Sequence, residues 1–351
     1  MKFLIDNFNN FGFLFILTLN FFVLYLTNFI FLKNKFCLDK FNSSYHKKYL
    51  NEENVPLTGG FLILFSTISL GYYENILNLF TAAAIFLVGI LSDLRKLNST
   101  HKRFIIQILI IFIFLINNTN LHINEIRLYY FDYLLNNYQL ISITFTCFCI
   151  LILVNGSNFI DGTNLQCSGY FLAILLVLFL ISLDGNFLID EKKINILLLS
   201  LIVFIIFNFL NKSFLGDGGT YYLSFLVGIL LIEFFLKNNV SPYFIALLLW
   251  YPAFENLFSI IRRMFYQNKK IDEPDNFHLH HLIFLKINHK FKNNYLKKNA
   301  TGVIIILYNF LIFLIGKSFL YSSIIQIYLI LFSILLYTSI YWLIIRKNIN
   351  K

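Results

Sequence analysis

The stretch QLISITFTCFCILILVNGSNFIDGTN (139–164) decides the fold. Residues 139–154 carry no charge and read as one continuous apolar helix, after which the composition switches abruptly to NGSNFID (155–161). Such a run, rising about 1.5 Å per residue, suits the crossing of a hydrocarbon core about 30 Å thick. It is continuously apolar rather than alternating, which excludes a membrane β-barrel. Carboxamides and a carboxylate at the end of such a helix are costly beside lipid and need a reason to be there.

Similar apolar stretches recur outward from this one, near 11–32, 57–72, 76–91, 104–117, 168–183, 194–210, 220–236, 243–261, 301–316 and 322–345. With 139–154 they make an all-α polytopic membrane bundle of about 11 transmembrane helices, a single domain over 1–351. Several are only about 16 residues long, short enough for a pair to merge or re-enter. The composition agrees, being 58% hydrophobic with a mean hydropathy of +0.71. The first stretch reads as a retained helix rather than a cleaved signal, because it is long and no small-residue cleavage site follows it.

The 28 Lys and Arg residues sort by loop. Lys33, Lys35, Lys40, Lys47 and Lys48 follow the first stretch; Arg95, Lys96, Lys102 and Arg103 follow the third; Lys212 follows the seventh. The basic loop 262–300 holds the largest group, and Arg346, Lys347 and Lys351 close the chain. Only Lys2, Arg127, Lys192, Lys193, Lys237 and Lys317 fall on the opposite face. By the positive-inside rule the N-terminus lies outside and the C-terminus in the cytoplasm. The net charge of +10 then belongs to a rim facing anionic headgroups or polyphosphates, and implies no nucleic acid. Four cysteines, with Cys147 and Cys149 inside a span, indicate no disulfide framework. The run RLYYFDYLLNNY (127–138) reads as an interfacial aromatic belt or surface helix on the outer face.

Four polar islands fall on the cytoplasmic face of this topology. Ser92-Asp93 sits after a helix end among Arg95, Lys96, Lys102 and Arg103, as a salt-bridged loop or as part of a site. Asn155, Asn158 and Asp161 are spaced by three and share one face of a helical turn. They can cap a helix, or read the hydrogen-bonding edge of a base or sugar and hold a hydrated cation. In GDGG (216–219) the glycines expose Asp217, as a turn or as a carboxylate suited to Mg²⁺. In HLHH (278–281), His278, His280 and His281 suit anion recognition or a zinc site, although no Cys or HExxH pattern completes the latter. Glu255, in PAFENLFSIIRR (252–263), is expected to support Arg262 or Arg263.

Taken in order, VPLTGG (55–60) and the four islands resemble the polyprenyl-phosphate N-acetylhexosamine-1-phosphate transferase family (glycosyltransferase family 4). The HxHH form is more similar to the branch using simple UDP-N-acetylhexosamines than to the phospho-N-acetylmuramoyl-pentapeptide branch. The resemblance implies transfer of a HexNAc-1-phosphate from a UDP-sugar to polyprenyl (undecaprenyl) phosphate, releasing UMP and initiating a cell-envelope glycan. It implies a multi-pass protein of the bacterial inner membrane with a cytoplasmic site, and allows a homodimer. Asp217 would hold Mg²⁺, with Mn²⁺ as a substitute. Asp93, Asp217 and His278 would be catalytic. Asn155, Asn158, Asp161, Lys102, Arg103, His280 and His281 would bind the substrates. Two positions depart from the family pattern: Ser92 stands where the first acid of an Asp-Asp pair is expected, and Asn164 where the second acid of DGxD is expected. A phosphate monoester with a second pKa near 6 is already largely dianionic at neutral pH, so loss of a base at Ser92 is chemically tolerable. The alternative reading is a multi-pass transporter or lipid-linked oligosaccharide flippase, which predicts ionisable groups at mid-bilayer depth and polar residues on both faces.

Overall fold

The computed structural model describes residues 10–39, 55–267, 277–287 and 294–349. Expectations for Lys2, Lys40, Lys47, Lys48, Lys269, Lys270, Lys290, Lys292 and Lys351 lie outside the described residues. The architecture is an α-helical bundle. Its helices are α1 (Asn10–Asn34), α2 (Gly59–Ser69), α3 (Ile76–Asp93), α4 (Thr100–Asn117), α5 (Tyr129–Asn137), α6 (Gln139–Ile160) and α7 (Gln166–Ser182). They continue with α8 (Glu191–Phe209), α9 (Gly216–Lys237), α10 (Pro242–Arg262), α11 (Leu279–Ile287), α12 (Asn294–Lys317) and α13 (Ser323–Ile349). Among the described residues 9 helices are long and apolar enough to cross a membrane, and α2 and α7 are shorter apolar helices. All eleven apolar stretches therefore become helices. The sole pairing of strands described joins β1 (Leu38–Asp39) to β2 (Val55–Pro56), antiparallel.

Helix α9 is the centre of the bundle and packs on α2, α3 and α6. Its first turn is rich in glycine, and this lets backbones meet. A Cβ on Gly89 of α3 would lie 2.4 Å from Gly218 Cα, so α3 and α9 touch main chain to main chain. Around this core α8 covers α2 and α7, α12 lies on α7, and α10 bridges α6 to α13. Polar side chains join α1 to α2: Ser66 donates to Asn20 Oδ1 (2.8 Å) and Thr58 donates to Asn28 Oδ1.

The sequence boundaries move at the polar ends. Helix α3 runs through Ser92 and Asp93, α6 continues to Ile160, and α9 begins at Gly216. Apolar patterning stops where lipid contact stops, whereas a helix continues as long as its polar end finds partners inside the protein. Segment 262–300 is partly helical rather than an open loop: α10 ends in a π-turn (Arg263–Gln267), and α11 and the start of α12 follow. Helix α5 lies where the aromatic run predicts a surface helix, with Tyr129, Tyr130 and Tyr133 exposed.

The bundle has two polar ends of different character. At one, Phe214 donates to Pro56 O (3.0 Å), Gly59 to Phe214 O (3.1 Å) and Leu57 to Cys37 O (2.9 Å), gathering the loops that flank α1, α2 and α9. At the other, the cations are engaged by neighbours. Lys193 pairs with Glu233 (3.1 Å), Glu74 (3.3 Å) and Asp190 (3.6 Å), and Lys317 with Asp184 (3.4 Å). Arg127 donates to Tyr321 O (2.9 Å) and Ser323 Oγ (3.0 Å).

Candidate active site

The first end carries the polar islands. Gly216 takes φ +72°, a left-handed turn that opens α9 and leaves Asp217 in its first turn. The N–H groups of Asp217 and Gly218, which have no partner within the helix, donate to Asp93 Oδ1 (2.9 Å) and Oδ2 (3.0 Å). Asp93 thus caps α9 from the last turn of α3, its carboxyl accepting at the N-terminal end of that helix. Both its oxygens face backbone.

Asp217 points the other way, into a cluster. Its Oδ2 accepts from Ser92 Oγ (2.5 Å) and from Arg103 NH1 (3.1 Å), and the same NH1 donates to Ser92 Oγ. The pair is partly open, with Arg103 17% and Asp217 26% exposed. Ser92, the departure from the expected acid, therefore links acid and guanidinium instead of adding a second charge. Tyr221, one turn along α9, extends the cluster: Arg103 NH1 approaches its hydroxyl at 3.5 Å, and Asn158 Nδ2 donates to it at 3.2 Å. Asp161 Oδ2 accepts from Thr220 Oγ1 (3.1 Å). Asn155 lies a turn deeper in α6, donating to Gln107 Oε1 (3.0 Å) and Leu151 O (3.0 Å). Lys102 is exposed on the first turn of α4, and no described contact joins its side chain to the cluster.

The histidines approach the same place through residues 159–162. A Cβ on Gly162 would lie 2.0 Å from His280 Nε2, so the imidazole occupies the space beside that glycine. His278 lies 5.6 Å from the Phe159 ring, and the guanidinium of Arg263 lies 5.4 Å over the same ring. His280 and His281 are 4.2 Å apart, ring to ring. Glu255 corrects an expectation: the described partners of its carboxylate are His278 Nδ1 (2.8 Å) and Tyr337 OH (2.6 Å), not Arg262 or Arg263. Arg262 instead lies over the Phe258 and Tyr341 rings, at 5.4 and 5.5 Å. The kink-prone Pro252 precedes Glu255 by one turn, and Tyr170 OH donates (2.7 Å) to Leu248 O, the carbonyl that proline leaves without its helical donor.

Asn164 has a structural explanation. It is buried, and its Nδ2 donates to Asn208 O (3.2 Å) and Asn211 Oδ1 (3.0 Å). Two acceptors require a donor, and a carboxylate has none. Beside it Leu165 adopts a left-handed φ of +67° while its N–H donates to Asn208 Oδ1 (2.6 Å). Cys37 also borders this region. Burial, and secondarily the charge of Asp93, push its thiol up to about 12.

Sequence reading did not single out Tyr221, Thr220, Phe159 or Tyr337. Tyr221 and Thr220 follow GDGG directly and are legible only once α9 starts at Gly216. An apolar cavity of about 260 Å³ between α6, α9 and α10, lined by Cys149, Leu153, Gly228, Phe235 and Ala246 among others, shares no residue with this cluster.

The fold and site define a multi-pass membrane protein with a carboxylate, a guanidinium and carboxamides gathered at one end of its bundle. Residues 75–235 match the family model described as Glycosyl transferase family 4. The match supports a transferase of that family. It takes in every residue of the Asp217 cluster, while Glu255 and the histidines lie beyond it. No curated protein matches the chain.

Proposed function

We propose that the protein transfers an N-acetylhexosamine 1-phosphate from a UDP-sugar to a polyprenyl (undecaprenyl) phosphate. A phosphate oxygen of the lipid attacks the β-phosphorus of the donor, the new P–O bond forms, the bridging P–O bond breaks, and UMP leaves with the electron pair. The observation that carries this reading is Asp217 in the open first turn of α9, sharing Ser92 and Arg103 and linked through Tyr221 to Asn158.

Two anionic phosphates must meet, so alignment and charge neutralisation are the main requirements. Arg103 and Arg263 are the guanidinium cations gathered here, the imidazoles of His278, His280 and His281 can hydrogen-bond phosphoryl oxygens beside them, and Asn155, Asn158 and Asp161 are suited to orient the donor. The lipid phosphate already carries its nucleophilic oxygen, so no base is needed. Asp93 acts as a positioning residue, holding the α9 turn that presents Asp217. The donor set suits Mg²⁺: Asp217 is a single carboxylate in a partly open cluster, and Mg²⁺ takes one or two carboxylates with phosphate oxygens and water. Asp217 would hold it, and the ion, or Mn²⁺ in its place, would supply positive charge to the diphosphate. The sorting of Lys and Arg residues supports a cytoplasmic site, and the resemblance to the transferase family implies the bacterial inner membrane.

The test is Asp217→Asn in membranes given polyprenyl phosphate and a panel of UDP-HexNAc donors. UMP release is expected to vanish while the protein stays folded in detergent. Near-normal Mg²⁺-dependent release by that variant would overturn the role of Asp217.

A further inference from the structure

Glu255 lies fully buried in α10, outside the stretch matched by the family model. A carboxylate taken out of water inside a helical bundle is expensive unless it is paired and hydrogen-bonded. Here both oxygens are engaged, Oε1 by His278 Nδ1 at 2.8 Å and Oε2 by Tyr337 OH at 2.6 Å. His278 is itself only 7% exposed in its side chain. It stands at the entry to α11, where its carbonyl accepts the N–H of Leu282 (3.1 Å). Three elements distant in sequence, α10, α11 and α13, therefore meet at one carboxylate.

We infer that Glu255 is the positioning residue of the histidine motif. Its carboxylate accepts a hydrogen bond from Nδ1–H of His278, fixes the ring orientation, and so assigns Nε2 to the substrate side. The two ring nitrogens point in widely separated directions, so a partner held on Nδ1 decides what Nε2 can do. In neutral His278 this leaves the Nε2 lone pair available, and in the imidazolium it leaves an Nε2–H donor for a phosphoryl oxygen. Two neighbours hold the ring in place: Phe159, 5.6 Å away, and His280, 5.5 Å away and within 8° of parallel. Phe159 also carries Arg263 at 5.4 Å, so a ring held this way shares Phe159 with a guanidinium. Tyr337 supports the carboxylate by donating to its other oxygen. The inference deepens the transferase reading and rests on it for the role of Nε2, but not for the proton on Nδ1.

The test combines ¹⁵N-histidine NMR of the full-length protein in nanodiscs, His278 being assigned with His278→Gln, with transfer kinetics of two variants. In the wild type Nδ1 of His278 is expected to carry the proton. Glu255→Gln, nearly isosteric, is expected to shift His278 toward the Nε2–H form and to lower kcat about 10–100-fold, the scale seen when metal-bound histidines lose the carboxylate that orients them, with KM for the UDP-sugar little changed. Tyr337→Phe keeps the carboxylate on His278 and is expected to leave the ¹⁵N signature intact. An unprotonated Nδ1 in the wild type would overturn the inference, because Glu255 would then be the donor. A Glu255→Gln variant with wild-type kcat and an unaltered His278 signature would overturn it too. Should the wild type transfer no sugar phosphate at all, the function reading fails while the NMR result still decides the pairing.

Discussion

Two aspartates that look alike in the sequence have opposite orientations in the fold. Asp93 gives both oxygens to the N–H groups of Asp217 and Gly218, while Asp217 turns outward to Ser92 and Arg103. Their substitutions should differ accordingly. Asp93→Asn replaces one acceptor by an amide that faces an N–H, so the melting temperature in detergent and the transfer rate should fall together. Asp217→Asn should lose transfer at nearly unchanged melting temperature; equal melting temperatures for the two variants would contradict this division. Asn164 gives a second contrast. Asn164→Asp removes the donor to Asn208 O and sets a carboxylate against Asn211 Oδ1, a cost of about 1–3 kcal/mol for buried groups left unpaired. A thermal shift assay should register that loss, and a variant as stable as the wild type would refute the explanation. At this scale the residue types of the site were legible, because Asp, Asn and His are conspicuous in an apolar chain. Orientation was not, because it depends on contacts such as Asp93 with Asp217 that are distant in sequence.

Helix packing depends on small residues that let α9 sit at the centre. Gly89 meets Gly218 backbone to backbone, one turn before Asp93 reaches the start of α9. Gly89→Ala must push α3 away, so overpacking should cost about 1–3 kcal/mol and should also weaken transfer through the Asp93 cap. Retained stability and activity in that variant would show that the two helices have slack. All eleven apolar stretches were legible as helices from hydrophobicity alone. Their polar ends were not: α3, α6 and α9 each extend into an island because Asp93, Asn158 and the GDGG turn find partners inside the protein. Helix α11 was read as loop because its nine residues are flanked by charged sequence, acidic before it and basic after it, and its anchor, Glu255, comes from α10.

Across the whole molecule, the charge count predicts that the two ends lie on opposite sides of the membrane, with the site end in the cytoplasm. Lys212 and Asn186 lie exposed at the site end and the far end. Lys212→Cys should react with a membrane-impermeant maleimide only after the cells are opened, and Asn186→Cys in intact cells; the reverse pattern would invert the topology. Background labelling should be low at neutral pH. Cys37 stays protonated because burial raises it to about 12, Cys147 and Cys167 are buried, and the half-buried Cys149 lines the apolar cavity. A thiol raised this way gains thiolate only as the pH climbs toward that value.

The central claim, that a sugar phosphate and not a sugar alone moves to a lipid, can be read from a single isotope. UDP-HexNAc labelled with ³²P at the β-phosphorus is supplied to membranes containing the protein, Mg²⁺ and polyprenyl phosphate. The account predicts that the label enters the lipid fraction and that unlabelled UMP is released in equal amount. Label retained in water-soluble UDP alongside a glycosylated lipid, or donor left intact with every UDP-HexNAc tried, would contradict it.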